Sequence, residues 1–128
     1  MSAGHHAVLL VDDSPDTLEM YALGLTYAGY RPITASDADA ALGQLKTEHP
    51  DAVVTDLQLV GRRSGWQFIE AIRKDPATRQ IPIIVLTGRS DPSITVNAKR
   101  VGCVAVLTKP CLPDELAHVL QRILAAVA

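Results

Sequence analysis

Polar residues suited to phosphate or metal chemistry stand at or just past the ends of four aliphatic runs. They are Asp12, Asp13, Asp56, Thr87 and Lys109. One such residue alone is typical of a turn or a helix cap. Three carboxylates at one edge of a sheet would repel one another unless a cation neutralised them. The combination predicts a site for a hard divalent cation with oxygen ligands and retained waters, which indicates Mg²⁺.

The elements that must position these residues are short strands and helices in alternation. Short runs of β-branched and aliphatic residues without alternation are typical of strands that are covered on both faces. The sequence predicts three such strands and two weaker ones, at Ala7–Val11, 52–54, 81–86, Arg31–Ala35 and 104–107. Strand and helix alternate five times, which favours a parallel sheet with helices on both faces. Function in such sheets lies outside the carboxyl ends of the strands.

Five helical patterns separate and follow the strands. Ser14 is the predicted N-cap of the first helix, with Pro15 in its first turn, and Gly29 ends it. Ser36 is the predicted N-cap of the second helix. The second helix is predicted at 37–46, and the last three at 66–74, Pro92–Arg100 and 114–127.

Composition excludes several classes of protein. The chain has 128 residues, of which 48% are hydrophobic, and a net charge of −2. No run of like charge is longer than the pair Arg62-Arg63, which argues against nucleic acid as the main partner. The chain has neither an apolar run long enough to cross a membrane nor a secretory signal, so we expect a cytoplasmic protein. Cys103 and Cys111 match no zinc motif.

Four motifs, in order and at characteristic spacing, carry a resemblance to a known family. They are Val11-Asp12-Asp13 with Ser14-Pro15, Val54-Thr55-Asp56-Leu57, Val85-Leu86-Thr87-Gly88 and Leu107-Thr108-Lys109-Pro110. From about Ala7 to Val127 the sequence resembles the CheY-like receiver domain of two-component response regulators. The resemblance implies a flavodoxin-like, doubly wound α/β fold, with five parallel strands in the order 2-1-3-4-5 and five helices.

The resemblance also implies roles for these residues. Asp56 would be the phosphoacceptor, assisted by Lys109 and by the hydroxyl of Thr87. Asp13, Asp56 and the backbone carbonyl of Gln58 would bind Mg²⁺ directly, and Asp12 mainly through water. Pro110 would follow a cis peptide bond that aims Lys109 inward. The side chains of Gln58 and Arg89 would set the rate of dephosphorylation.

The sequence departs from the family pattern at three places. Val106 stands where receivers commonly carry an aromatic residue that takes part in activation, so the usual aromatic readout is absent. The loop 60–64 is one residue longer than usual, and its Arg62 and Arg63 are either solvated charges or a contact for a partner. Cys111 replaces another frequent aromatic residue, and we interpret it as a small buried apolar residue.

The resemblance implies a regulatory phosphoacceptor rather than an enzyme. We expect one receiver domain over residues 1–128, with a core at about 7–127, no output domain, and a monomeric or weakly dimeric state. The expected partners are a histidine kinase or histidine phosphotransfer protein, with a possible downstream protein target. A pseudo-receiver that acts without phosphorylation remains an alternative. A haloacid-dehalogenase-like phosphatase needs a second Asp two residues after the nucleophile, and neither Asp12 nor Asp56 is followed by one. A flavodoxin-like flavin binder is disfavoured because Asp12 and Asp13 would repel the flavin phosphate.

The first helix has two apolar sides. At 100° per residue, a stripe of apolar residues should face the sheet, formed by Leu18, Tyr21, Ala22, Leu25 and Ala28. Met20, Leu23 and Tyr27 fall on the opposite side, where a surface helix is normally polar. Either neighbouring elements cover them, or they form a docking patch for the helical bundle that carries the phosphodonor histidine.

Overall fold

A computed structural model describes residues 6–126 as five parallel strands that alternate with five helices. The strands are β1 (Ala7–Val11), β2 (Arg31–Ala35), β3 (Ala52–Thr55), β4 (Ile83–Thr87) and β5 (Ala105–Thr108). The helices are α1 (Pro15–Tyr27), α2 (Ala38–Glu48), α3 (Gly65–Lys74), α4 (Pro92–Arg100) and α5 (Pro113–Ala126). The strand order is β2-β1-β3-β4-β5, which confirms the predicted fold class. None of the described helices is long and apolar enough to cross a bilayer.

The sheet separates two hydrophobic layers because successive side chains of a strand point to opposite faces. On β1, Leu9 packs with α2 and α3, whereas Leu10 packs with α1 and α5. Phe68 on α3 is the largest of the described side chains that are fully enclosed. Val106 and Leu107 on β5 join opposite layers, as the sequence predicts.

Several boundaries differ from those predicted. Asp37, not Ser36, is the N-cap of α2, because its carboxylate accepts a hydrogen bond from the Ala40 N–H at 2.7 Å. Strand β4 begins at Ile83 rather than at residue 81. Of the stripe predicted on α1, Ala28 lies beyond the last helical residue and is exposed. Val127, the predicted last residue of α5, lies outside the described residues.

Candidate functional site

The ends of three strands bring Asp12, Asp56 and Lys109 together. The Lys109 Nζ lies 2.8 Å from Asp12 Oδ2 and 3.1 Å from Asp56 Oδ2, so one ammonium group bridges the two carboxylates. Both carboxylates are buried, and the Lys109 side chain is 27% exposed. Ion pairs in such a position interact more strongly than those in open solvent, because less water screens them. The positive charge of Lys109 therefore offsets the repulsion between the two acids.

Proton binding at Lys109 reflects this environment. Burial by itself would lower the pKa of the ammonium, but its hydrogen bond to Asp12 and the negative charge of Asp56 outweigh that effect. The pKa of Lys109 is therefore raised above its ordinary value. The group stays protonated at neutral pH, as a counter-ion for an anionic site must.

Backbone groups fix the other oxygen of Asp56. Its Oδ1 accepts hydrogen bonds from the N–H groups of Leu57 at 2.7 Å and Gln58 at 3.2 Å. The N-terminus of α3 packs against the same backbone, where the Gly65 N–H donates to the Leu57 carbonyl at 2.9 Å. The carboxylate at the end of the central strand is thus held in one orientation, with each oxygen in contact with donors.

Thr87 ends β4, the strand next to β3 in the sheet, and is fully buried. Its Oγ1 accepts a hydrogen bond from the Arg89 N–H at 3.3 Å, which leaves the hydroxyl proton available for donation. The Arg89 guanidinium forms an ion pair with Asp91, with 2.6 Å between Nη2 and Oδ2. Asp91 is the N-cap of α4, yet its side chain does not cap the helix.

The donors for a cation are hard oxygen ligands. Asp13 is exposed, as is Gln58, whereas the Asp12 Oδ1 accepts a hydrogen bond from the Ser14 N–H at 2.9 Å. Within residues 6–126, no three His, Cys, Asp or Glu side chains form a ready-made metal cage. Mg²⁺ binds through one or two carboxylates, several waters and substrate phosphates rather than through such a cage. The donor set therefore fits Mg²⁺.

The loop that carries Lys109 is also held by Tyr21, which the sequence predicts only as part of the apolar stripe on α1. The Lys109–Pro110 peptide bond is cis. Tyr21 of α1 is buried, and its hydroxyl donates a hydrogen bond to the Cys111 carbonyl. A buried tyrosine needs a partner for its hydroxyl, so the predicted burial of Tyr21 could have indicated a hydrogen bond of this kind. Tyr21 thus ties α1 to the segment that positions Lys109.

The predicted docking patch lies apart from this cluster, on the outer side of α1. Met20, Leu23 and Tyr27 are 47%, 63% and 90% exposed, respectively. Neighbouring elements of the described chain therefore do not cover them. This removes the alternative in which the helix is simply apolar on two buried sides.

Comparison with known proteins places the chain in a family. Residues 8–121 match the response regulator receiver domain. The chain is 32% identical to the phosphate regulon transcriptional regulatory protein PhoB of Escherichia coli over 121 residues, which cover 94% of this chain and 52% of PhoB. It therefore spans about half the length of that relative.

Solved structures agree. Chemotaxis response regulator CheY4 of Vibrio cholerae is 32% identical and superposes with a TM-score of 0.85, covering 93% of this chain and 98% of that one. A putative response regulator from Chloroflexus aurantiacus is 36% identical with a TM-score of 0.86, covering 94% and 98%, respectively. The chain belongs to the response regulator receiver domain family of two-component signalling.

Proposed function

We propose that Asp56 accepts a phosphoryl group from the phosphohistidine of a histidine kinase or histidine phosphotransfer protein, and that the chain works as a phosphorylation switch. The observation that carries the proposal is the bridge from Lys109 to Asp12 and Asp56 at the end of the central strand. A two-component receiver implies a histidine kinase as its partner. The switch would then be read by a protein target or relayed to another histidine.

In the proposed step, a carboxylate oxygen of Asp56 attacks phosphorus. The new P–O bond forms as the P–N bond of the phosphohistidine breaks, and its electron pair returns to the imidazole nitrogen. The Lys109 ammonium, already 3.1 Å from Asp56 Oδ2, pairs with an oxygen of the arriving group. The hydroxyl of Thr87 donates to another oxygen, since the bond that it accepts from the Arg89 N–H leaves its own proton free.

The cation would be held by Asp13, Asp56 and the backbone carbonyl of Gln58, with Asp12 acting through water. Bound Mg²⁺ supplies charge neutralisation to the transferring phosphoryl group. Asp56 and Asp12 are pre-positioned by hydrogen bonds from the backbone N–H groups of Leu57 and Ser14. Incubation with acetyl phosphate and Mg²⁺, followed by intact mass measurement, tests the proposal, with a gain of one phosphoryl mass as the expected result.

The absence of an aromatic residue at position 106 favours a second candidate, a pseudo-receiver that binds partners without phosphorylation. Val106 is only partly buried and packs with the layer formed by α2 and α3. The same mass measurement separates the candidates, because a pseudo-receiver would gain no phosphoryl group.

We propose that α1 docks the helical bundle that carries the phosphodonor histidine. Met20→Glu or Leu23→Glu places a charge in the exposed apolar patch, so we expect slower phosphotransfer from the cognate kinase and unchanged labelling by acetyl phosphate. Val96→Glu is the control, since Val96 is 69% exposed on a different helix, α4. Equal transfer rates for all three variants would exclude docking at this patch.

Arg89 is proposed to influence the lifetime of the acyl phosphate. Its guanidinium pairs with Asp91, and both side chains are more than half exposed, so the pair is weak and can exchange for a phosphoryl oxygen. We expect Arg89→Ala to change autodephosphorylation by several-fold, roughly what ~1 kcal/mol in the barrier produces, and to leave Mg²⁺ affinity unchanged. The decay of phosphorylated protein, followed by intact mass, measures the rate. An unaltered rate would show that Arg89 only lies in solvent beside Asp91.

A further inference from the structure

Charge is distributed unevenly along the chain. Residues 60–104 hold eight of the 12 Lys and Arg residues and three of the 14 Asp and Glu residues. This segment therefore has a formal charge of +5, and the remainder has −7. The segment contains α3 and α4, which both pack on the same hydrophobic layer, through Ile72 and Ile94, respectively. The positive charges of these two helices therefore lie on one side of the sheet.

Two grooves flank the outer side of α3 and collect this charge. One, of about 530 Å³, is lined by Arg62, Arg63 and Lys74 among others. The second, of about 520 Å³, is lined by Arg73, Lys74 and Arg100. Glu70 adds a negative charge to the lining of both grooves. We call these five cationic residues the basic face.

Arg73 holds the centre of the basic face in place. Its guanidinium donates to the carbonyl oxygens of Val101 at 2.9 Å, Ile81 at 2.8 Å and Gly102 at 3.0 Å. A further bond reaches the Arg79 carbonyl at 2.9 Å. Two of these carbonyls lie in the turn after α4 and two in the connection between α3 and β4. They fix the guanidinium in one place, so part of the positive charge is built into the fold.

Two arginines of the basic face, Arg62 and Arg63, already bind a carboxylate within the chain. Arg62 and Arg63 lie 3.4 Å and 3.1 Å from the same residue, Asp39. The side chain of Arg62 is 80% exposed, and exposed pairs of this kind contribute little free energy. These arginines can therefore turn to the carboxylates of a partner at small cost. The guanidinium group matches the planar geometry of a carboxylate.

We propose that the basic face docks an acidic segment of a partner protein. A long nucleic acid would extend beyond the basic face over a chain remainder of charge −7, and Glu70 interrupts the grooves. A short polypeptide with separated carboxylates meets neither obstacle. The basic face is separate from Asp56 and its contacts, and the inference is independent of the proposed phosphorylation.

The test uses a short fluorescein-labelled poly-L-glutamate peptide and fluorescence anisotropy at low ionic strength. We expect saturable binding that weakens as salt is added. Arg62→Glu/Lys74→Glu should weaken binding about tenfold, which corresponds to ~1.4 kcal/mol. Lys46→Glu/Arg122→Glu, an equal change of charge at exposed positions elsewhere, should alter it by less than about twofold. Arg62→Gln/Lys74→Gln, which removes the charges without reversing them, should show a smaller loss.

The same measurement can overturn the inference. Absence of saturable binding to the unaltered protein would do so, as would equal weakening by the two charge-reversed variants. Tighter binding of a DNA duplex than of poly-L-glutamate, with the loss confined to the basic-face variants, would identify a nucleic-acid surface instead. Far-UV circular dichroism and labelling by acetyl phosphate should be the same for all variants, which separates failure of this inference from failure of the proposed phosphorylation.

Discussion

The Asp56→Asn variant is expected to gain no phosphoryl mass when incubated with acetyl phosphate and Mg²⁺, under conditions that label the unaltered protein stoichiometrically. The amide lacks the nucleophilic carboxylate oxygen, so the acyl phosphate cannot form. Removal of the divalent cation with a chelator should also abolish labelling of the unaltered protein. Intact mass measurement reports both effects.

Loss of labelling in this variant should not arise from unfolding. An asparagine side chain is nearly isosteric with that of Asp56, and Lys109 would keep its contact with Asp12 at 2.8 Å. The substitution also removes the repulsion between two buried carboxylates. Asp39→Asn provides a control at an exposed acidic residue, and it should be labelled normally. Stoichiometric labelling of the Asp56→Asn variant would exclude Asp56 as the acceptor.

Gly65→Ala is expected to destabilise the protein and to disturb the Asp56 segment. A Cβ atom at Gly65 would lie 2.4 Å from the Asp56 carbonyl oxygen and 2.4 Å from the Leu57 Cα. Both are backbone atoms, so the N-terminus of α3 or the loop that holds Asp56 must shift. Overpacking of this kind costs about 1–3 kcal/mol, measured as a loss in the free energy of unfolding by urea titration. We also expect slower labelling by acetyl phosphate.

Gly43→Ala is the matched control. Gly43 lies within α2 and is exposed, and nothing lies within 4 Å of an added Cβ there. Alanine is the better helix former, so this variant should be more stable by ~1 kcal/mol. The two substitutions add the same atom and should act in opposite directions. A Gly65→Ala protein as stable as the Gly43→Ala protein would contradict the close packing of α3 on the Asp56 backbone.

The sequence was informative where aliphatic runs end in polar residues. β1 and β3 are uniformly buried and end beside carboxylates, so the convergence of Asp12 and Asp56 followed from parallel strand direction alone. The position of Leu23 on the outer side of α1 was likewise predictable, because helical periodicity fixes which side of the helix faces the sheet. Whether neighbouring elements cover Leu23 could not be predicted, and the structure shows that it is exposed.

Other features depend on contacts between residues distant in sequence. The hydrogen bond from Tyr21 to Cys111 and the four carbonyl partners of Arg73 join separate elements, and no spacing of residue types indicates them. The close approach of Gly65 to Leu57 is set by how α3 meets the sheet. The choice of Asp37 over Ser36 as N-cap depended on backbone geometry, since both residue types are good caps.

The position of the phosphoryl group in the unaltered protein tests the central claim most directly. After incubation with acetyl phosphate and Mg²⁺, reduction with borohydride converts an aspartyl phosphate into homoserine, which tandem mass spectrometry of peptides can locate. We predict homoserine at position 56 and nowhere else in the chain. Homoserine in place of Asp12 or Asp13, or its absence from a protein that carries the phosphoryl mass, would contradict the assignment of Asp56 as the phosphoacceptor.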